Sequence, residues 1–315
     1  MKIPSIATQF LTKGYNILPY AVTRKACDLG KKMLFREKYS EMVDFLEKQE
    51  DQEIRDLLPS IRECGMLSTF YGEWTKKYTH LPDRMNWDRD NEFYYVNHQC
   101  RDGSVKKIFL QNSMGRSQCR TYYETLLMEQ DEQSPHCYLT GRIKEDLFSK
   151  QGGTILDLGG AEGIFTLECV DHVDRVYCFD ADEKWLKPLR ETLRPYADKA
   201  EVVPKYVSDI SEGPYTTIDD FFGEKIPKDI RIIKMDIEGY ELNALRGMKR
   251  TLEENPDAVL LICTYHKPDA EIEITGFMSE MGYRGLTRSG FVFFWAGDNF
   301  VEPYARCGVI EFRKE

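Results

Sequence analysis

From Thr154 the chain reads Thr154-Ile-Leu-Asp-Leu-Gly-Gly-Ala-Glu-Gly163, an apolar run that passes into a glycine-rich turn, with a helix beginning at Ile164-Phe165. Glycine reaches left-handed backbone conformations and lets a ligand or a second backbone approach closely. The run therefore predicts a strand, a turn and a helix with a ligand crevice beyond the strand end. Short apolar runs at Thr154–Leu158, Arg175–Phe179, Glu201–Val207, Ile230–Met235 and Ala258–Cys263 alternate with amphipathic stretches, the pattern of parallel β-α-β units. Beyond about residue 282, Tyr283–Leu286 and Phe291–Trp295 flank Arg288-Ser289-Gly290 and predict an antiparallel hairpin closing the sheet edge. The expected fold class is α/β, a Rossmann-like sheet.

The chain has 315 residues, more than one compact domain usually holds. Its hydrophobic content of 42% is enough for a sizeable core. Three segments are expected. Residues 1–90 form a helical accessory module, because Ala26, Leu29, Met33 and Leu34, then Met42, Phe45 and Leu46, recur at three- and four-residue intervals. The stretch Thr79–Asn91 predicts a loop at its end. Residues 91–150 hold a hairpin, with Glu92–His98 and Ser104–Leu110 around Arg101-Asp102-Gly103, and then a helix over Thr121–Glu132. Residues 151–315 form the ligand-binding core.

Charge and cysteine usage narrow the function classes. With 43 basic and 53 acidic residues the net charge is −10, which argues against nucleic acid as a partner. Nine cysteines with no C-x-x-C pair fit reduced thiols, and Cys178 and Cys263 fall in predicted buried strands. No apolar run approaches the roughly 20 residues that span a bilayer, so no membrane span and a cytoplasmic location are expected. A homo-oligomer is left open.

The chemistry concentrates at the strand ends. A dinucleotide fingerprint would need glycine at Ala161 and Ile164, so an NAD-dependent oxidoreductase is disfavoured. What remains, Asp157 two residues before Gly159 with Gly160, Ala161, Glu162 and Gly163 completing the turn, suits a ligand with a cationic methionine end. Asp180, followed by Ala181, ends the next strand, where a carboxylate accepts ribose hydroxyls. Ser208 and Asp209 stand at a third strand end, where they could meet an adenine edge, although Asp209 alone reads equally as a cap. Asp236 and Glu238 follow the fourth strand, with Gly239 letting the chain turn. They could orient a sulfonium, activate an acceptor hydroxyl, or hold a divalent cation such as Mg, although no metal is predicted; as helix-start acids they would also be unremarkable. His266, at the fifth strand end, is a candidate general base. The candidate catalytic residues are thus His266, Asp236 and Glu238. Asp236 also counts with the cofactor contacts Asp157, Gly159, Gly160, Ala161, Glu162, Gly163, Asp180, Ala181, Ser208 and Asp209. Trp87, Tyr94, Tyr95, Tyr122 and Tyr123 could stack on a sugar ring, though such spacings are more often core.

The segments Leu156-Asp-Leu-Gly-Gly-Ala-Glu-Gly163, Thr217-Ile-Asp-Asp220 and Ile233-Lys-Met-Asp-Ile-Glu-Gly-Tyr-Glu241 followed by Leu245-Arg-Gly247 resemble, in this order, the FkbM family of S-adenosylmethionine-dependent methyltransferases. The resemblance covers about residues 134–300. It implies a class I methyltransferase sheet of seven strands with the last antiparallel, S-adenosylmethionine as cofactor, and O-methylation of a sugar or related hydroxyl in glycan or natural-product biosynthesis. The implied partner is a small-molecule or glycan acceptor. Two departures stand out: Glu162 replaces the usual Asn, and Thr264 replaces the acidic residue usual two before the histidine. Ser134-Pro-His-Cys-Tyr138 also resembles a segment that precedes the glycine turn in some relatives, and could cover the cofactor. A non-catalytic S-adenosylmethionine-binding scaffold or sensor is the alternative from another class.

Overall fold

A computed structural model describes residues 25, 28–30, 32–78, 81–295 and 299–315. Ala26, Thr79 and His80 lie outside them. A seven-stranded sheet organises the chain: β4 (Thr154–Leu158), β5 (Arg175–Phe179), β6 (Ala200–Val203), β9 (Ile230–Met235), β10 (Val259–Cys263), β11 (Tyr283–Leu286) and β12 (Val309–Lys314). The three preceding strands are β1 (Asn86–Asp88), β2 (Phe93–Gln99) and β3 (Val105–Phe109), while β7 (Tyr206–Val207) and β8 (Tyr215–Thr216) make a small parallel pair.

The spatial order is β11-β12-β10-β9-β4-β5-β6. Strands β6, β5, β4, β9 and β10 run parallel, and β12 is antiparallel to both neighbours. The parallel strands therefore end on one edge of the sheet, and each delivers the residues after it to the same crevice. Alternation buries both faces. Ile155 and Ile232 pack on one side with α5 (Ile164–Cys169) and α6 (Glu183–Leu193); Leu156, Leu158 and Ile233 pack on the other with α7 (Ile218–Phe222), α8 (Glu241–Arg246), α9 (Lys249–Glu254) and α10 (Ala270–Glu280). Cys178 and Cys263 are fully buried within strands.

Two strand expectations need correcting. The run Glu201–Val207 is divided by Pro204: β6 stops at Val203, and Tyr206–Val207 pairs with Tyr215–Thr216 instead. Proline has no N–H to continue the ladder. Phe291–Trp295 does not pair with Tyr283–Leu286. Only Val292 makes a bridge, to Arg306, and the strand that pairs with β11 is Val309–Lys314, which inserts between β10 and β11.

The hairpin of β2 and β3 forms as expected, and Asn86–Asp88 adds a third strand where a loop was predicted. Phe109 N–H donates to Thr192 Oγ1 at 3.0 Å, tying this sheet to α6. The predicted helix over Thr121–Glu132 is Arg116–Glu129 (α3), begun early by Gly115, whose N–H is capped by Gln118 at 2.9 Å. Helix α4 (Gly141–Ser149) leads into the core.

The helical layer consists of α1 (Arg36–Leu46) and α2 (Gln52–Cys64), the second capped by Asp51 and closed by left-handed Gly65. Met42, Leu46 and Ile61 are buried against Phe293, Phe300 and Tyr304 of the excursion between β11 and β12. Leu29, Met33 and Leu34 are exposed rather than core-facing.

Candidate active site

A cavity of about 770 Å³ opens at the carboxyl edge of the parallel strands. The glycine turn forms its floor. Gly159 has φ +86, and a Cβ there would sit 1.8 Å from the backbone oxygen of Asp236; at Gly160 a Cβ would meet Cys178 Sγ at 2.2 Å. Both positions require glycine because the turn is pressed against neighbouring strands, and Ala161 beside them is left-handed with φ +44.

Of the residues proposed from sequence, Gly159, Gly160, Ala161, Glu162, Asp180, Ala181, Asp236 and Glu238 line the cavity. Asp180 Oδ2 accepts from Ala161 N–H at 2.8 Å and Oδ1 from Asp182 N–H at 2.9 Å, which fixes its carboxylate at the rim; burial raises its pKa. Glu162 is buried and accepts from Tyr122 Oη at 2.7 Å, and burial raises it as well. Glu238 is strained into φ +56 and reaches outward, its side chain 81% exposed.

Asp157, Gly163, Ser208, Asp209 and His266 are not part of the cavity wall. Asp157 is the register partner of Lys234 on the adjacent strand, so both point to the same sheet face. Lys234 Nζ lies 3.1 Å from Asp157 Oδ1, and Thr166 Oγ1 donates to Oδ2 at 2.7 Å. The carboxylate is paired inside the core and does not line the cavity, which argues against its expected contact with a methionine end. Burial acts to lower the Lys234 pKa, but Asp157 and Asp236 outweigh it and raise it. Gly163 packs against α6, with Leu189 Cδ1 3.0 Å from the place of a Cβ. Ser208 bonds Asp209, which is itself exposed. The nearby wall is built instead by Lys205, Tyr206 and Tyr215.

His266 is held differently from a general base. Nε2 is 3.3 Å from Asp236 Oδ1 and Nδ1 is 2.9 Å from Glu241 Oε1, with the ring 3% exposed. Burial works against its charge, but Asp236 and Glu241 prevail and lift the pKa to about 10. This raised pKa favours the imidazolium at neutral pH, which argues against the general-base role expected from sequence. The carboxylate missing at Thr264 is supplied from α8 by Glu241. Thr264 Oγ1 donates to the Cys307 and Gly308 carbonyls.

Several cavity residues come from outside the β-α-β units. His136 and Tyr138 come from the segment before α4; Tyr138 Oη donates to Asp236 Oδ2 at 2.7 Å, and His136 Nε2 lies 3.0 Å from Tyr265 Oη. Pro135 O accepts Val309 N–H at 2.8 Å, which seats this segment on β12. Burial raises the Tyr138 and Tyr265 pKa values, so both stay protonated donors. Burial also acts to raise Asp236, but the hydrogen bonds and charges of His136 and His266 outweigh it and hold it well below the ordinary range. Of the five aromatics proposed for stacking, Tyr122 lines the cavity, whereas Trp87 and Tyr94 pack on each other, ring centres 4.7 Å apart.

Among the described residues, two groups of ligand-type atoms include Asp236: one with Glu241 and His266, the other with His136 and Cys263. Glu238, its expected partner for a divalent cation, is in neither, and both Asp236 oxygens are engaged by Tyr138, Tyr265 and the histidines. Among the described residues, no helix is long and apolar enough to cross a membrane.

The strand order, with the antiparallel β12 between β10 and β11, is that of a class I methyltransferase. Residues 175–284 match the sequence profile of the Methyltransferase FkbM domain, about a third of the chain. This segment is thus similar to an FkbM methyltransferase domain. Comparison with curated proteins gives no match. Among solved structures it is similar to an rRNA methylase from Streptococcus thermophilus, at 15% identity over 52% of this chain and 88% of that one with a TM-score of 0.37. It is also similar to the precorrin-6y C5,15-methyltransferase of Geobacter metallireducens, at 12% identity over 56% and 91% with a TM-score of 0.38.

Proposed function

We propose that this chain is an S-adenosylmethionine-dependent methyltransferase acting on a hydroxyl of a sugar or related small molecule, in glycan or natural-product biosynthesis. The observation that carries the reading is a cavity on which the ends of the parallel strands converge, bringing Asp180 and Asp236 of the FkbM-matching segment together with Glu162 of the glycine turn. The residues fit the donor. Asp180 is fixed by two backbone N–H groups and keeps lone pairs for ribose hydroxyls. The aromatic rings of Trp185, Tyr206 and Tyr215 suit the adenine, and the carboxylates Glu162, Asp236 and Glu238 suit the cationic methionine end.

When bound, S-adenosylmethionine supplies an electrophilic methyl group on a positively charged sulfur. The chain's own contribution is placement. Asp236, held ionised by His266 and oriented by Tyr138, is suited to accept a hydrogen bond from the acceptor hydroxyl. Tyr138, Phe165 and Tyr265 wall the space from water, and proximity then supplies much of the acceleration. Because α3 and residues 136–138 form one wall, residues 91–150 are assigned to acceptor selection, beside a helical accessory module at 1–90 and the binding core at 151–315. The described cysteines are free thiols, which supports a reducing, cytoplasmic setting.

The test is to incubate the protein with isotope-labelled S-adenosylmethionine and a set of methyl glycosides and natural-product alcohols. Product mass spectrometry should find the label on oxygen and a fall of at least tenfold in Asp236→Asn. Label on nitrogen or carbon, or full turnover by Asp236→Asn, would overturn the assignment.

A further inference from the structure

We propose that Glu129 is the carboxylate that takes up the proton of the methyl acceptor as the methyl group is transferred. This rests on the reading of the cavity as an S-adenosylmethionine site.

Most acidic and basic groups of the cavity already have partners. Asp236 is bound by Tyr138, Tyr265 and two histidines, and their donors keep it ionised. Glu162 is taken by Tyr122, and Asp180 by two backbone N–H groups. His266 is a buried cation behind the wall. Glu129 differs from all of these: it lines the cavity, is only partly exposed, and makes no hydrogen bond or ion pair among the described residues. It is the last residue of α3, where the negative end of the helix dipole disfavours a carboxylate.

The charged groups facing it come from three directions: His136 from the segment after α3, Glu162 from the glycine turn, and Asp236 and Glu238 from the loop after β9. Burial and these three carboxylates, against the opposing effect of His136, lift its pKa to about 7, where an acid can both hold and release a proton in the working range. Glu238 is also raised, by burial first, but its side chain is 81% exposed, so solvent screens it from the reacting atoms.

A lone pair of the acceptor oxygen forms the new C–O bond, the bond from methyl carbon to sulfur breaks with its electron pair left on sulfur, and the acceptor's O–H proton passes to a Glu129 carboxylate oxygen. A cationic donor is thus matched by an ionised carboxylate before transfer, and a neutral sulfur by a neutral carboxyl after it. Binding the cationic donor must accordingly expel the proton from Glu129, whereas the demethylated product need not.

Calorimetric titration of the full chain at about pH 6, in two buffers of different ionisation heat, reads this directly. S-adenosylmethionine and S-adenosylhomocysteine share their amino-acid end and differ in the charge on sulfur. The wild type should release close to one proton more with the first than with the second, and the difference should vanish above about pH 9. It should be absent in Glu129→Gln and retained in Glu238→Gln. Equal proton release by the two ligands in the wild type, or loss of the difference in Glu238→Gln alone, would overturn the role given to Glu129. Failure of either ligand to bind would instead overturn the donor assignment on which it rests.

Discussion

Glu241 Oε1 lies 2.9 Å from His266 Nδ1 and accepts the backbone N–H groups of Ile237 at 3.1 Å and Gly239 at 3.3 Å. His266 reaches Asp236 with its other nitrogen. The imidazolium therefore bridges the two ends of the loop that follows β9, and Glu241 holds the strained backbone between them, including left-handed Glu238 and Gly239. A strand-end histidine that spacing alone makes a candidate base is held here between two carboxylates, a geometry suited to positioning the loop.

This relationship gives stability a defined pH dependence. The His266 pKa is raised in the folded state, from an ordinary 6.5 to about 10. The contribution is fully present below about pH 6.5 and is lost as pH rises towards about 10. Urea denaturation at steps across this window should show stability falling in the wild type and a flatter profile in His266→Gln. Glu241→Gln, which leaves the buried imidazolium with one carboxylate fewer, should cost on the order of 3–5 kcal/mol near neutrality.

Lys234 and Asp157 form a fully buried pair across adjacent strands. Lys234→Met leaves Asp157 charged and unmatched in the core and should destabilise by roughly 3–5 kcal/mol. Lys234→Met with Asp157→Leu should recover a substantial part of that loss in the same denaturation assay. Independent, additive costs would contradict the pairing.

Gly159→Ala should fail for a steric reason. The new Cβ would lie 1.8 Å from the Asp236 carbonyl oxygen at a backbone angle of φ +86. The strain alone is about 1–3 kcal/mol and the displaced loop adds to it. Thermal unfolding should shift down and ligand binding should be lost together; an unchanged melting temperature would contradict the packing of the turn.

The core was legible because its signals are local. Thr154–Leu158 is a short, mainly apolar run ended by glycines, and Arg175–Phe179, Ile230–Met235 and Val259–Cys263 are similar runs, so the strand ends and with them Asp180 and Asp236 could be named from spacing. The methyltransferase domain match over residues 175–284 accords with the motifs there. What was hidden depends on the third dimension. Asp157 reads as a ligand contact until its register partner is known to be a lysine. Glu129 reaches the cavity from outside the β-α-β repeat with no spacing to relate it to Asp236, whereas His136 and Tyr138 were marked only by the resemblance of the segment that holds them. Val309–Lys314 lies beyond an excursion that carries its own apolar run, Phe291–Trp295, and that run is spent on covering α1 and α2 rather than on the sheet.

Asp180 tests the central claim most directly, because its carboxylate sits at the cavity rim with its backbone hydrogen bonds already made. Isothermal titration of S-adenosylhomocysteine into wild type and Asp180→Ala should show one site per chain, weakened in the variant by about 10–100-fold, the loss of a charge-assisted hydrogen-bonding group, with circular dichroism unchanged. No binding to the wild type, or equal affinity for the two proteins, would contradict the account.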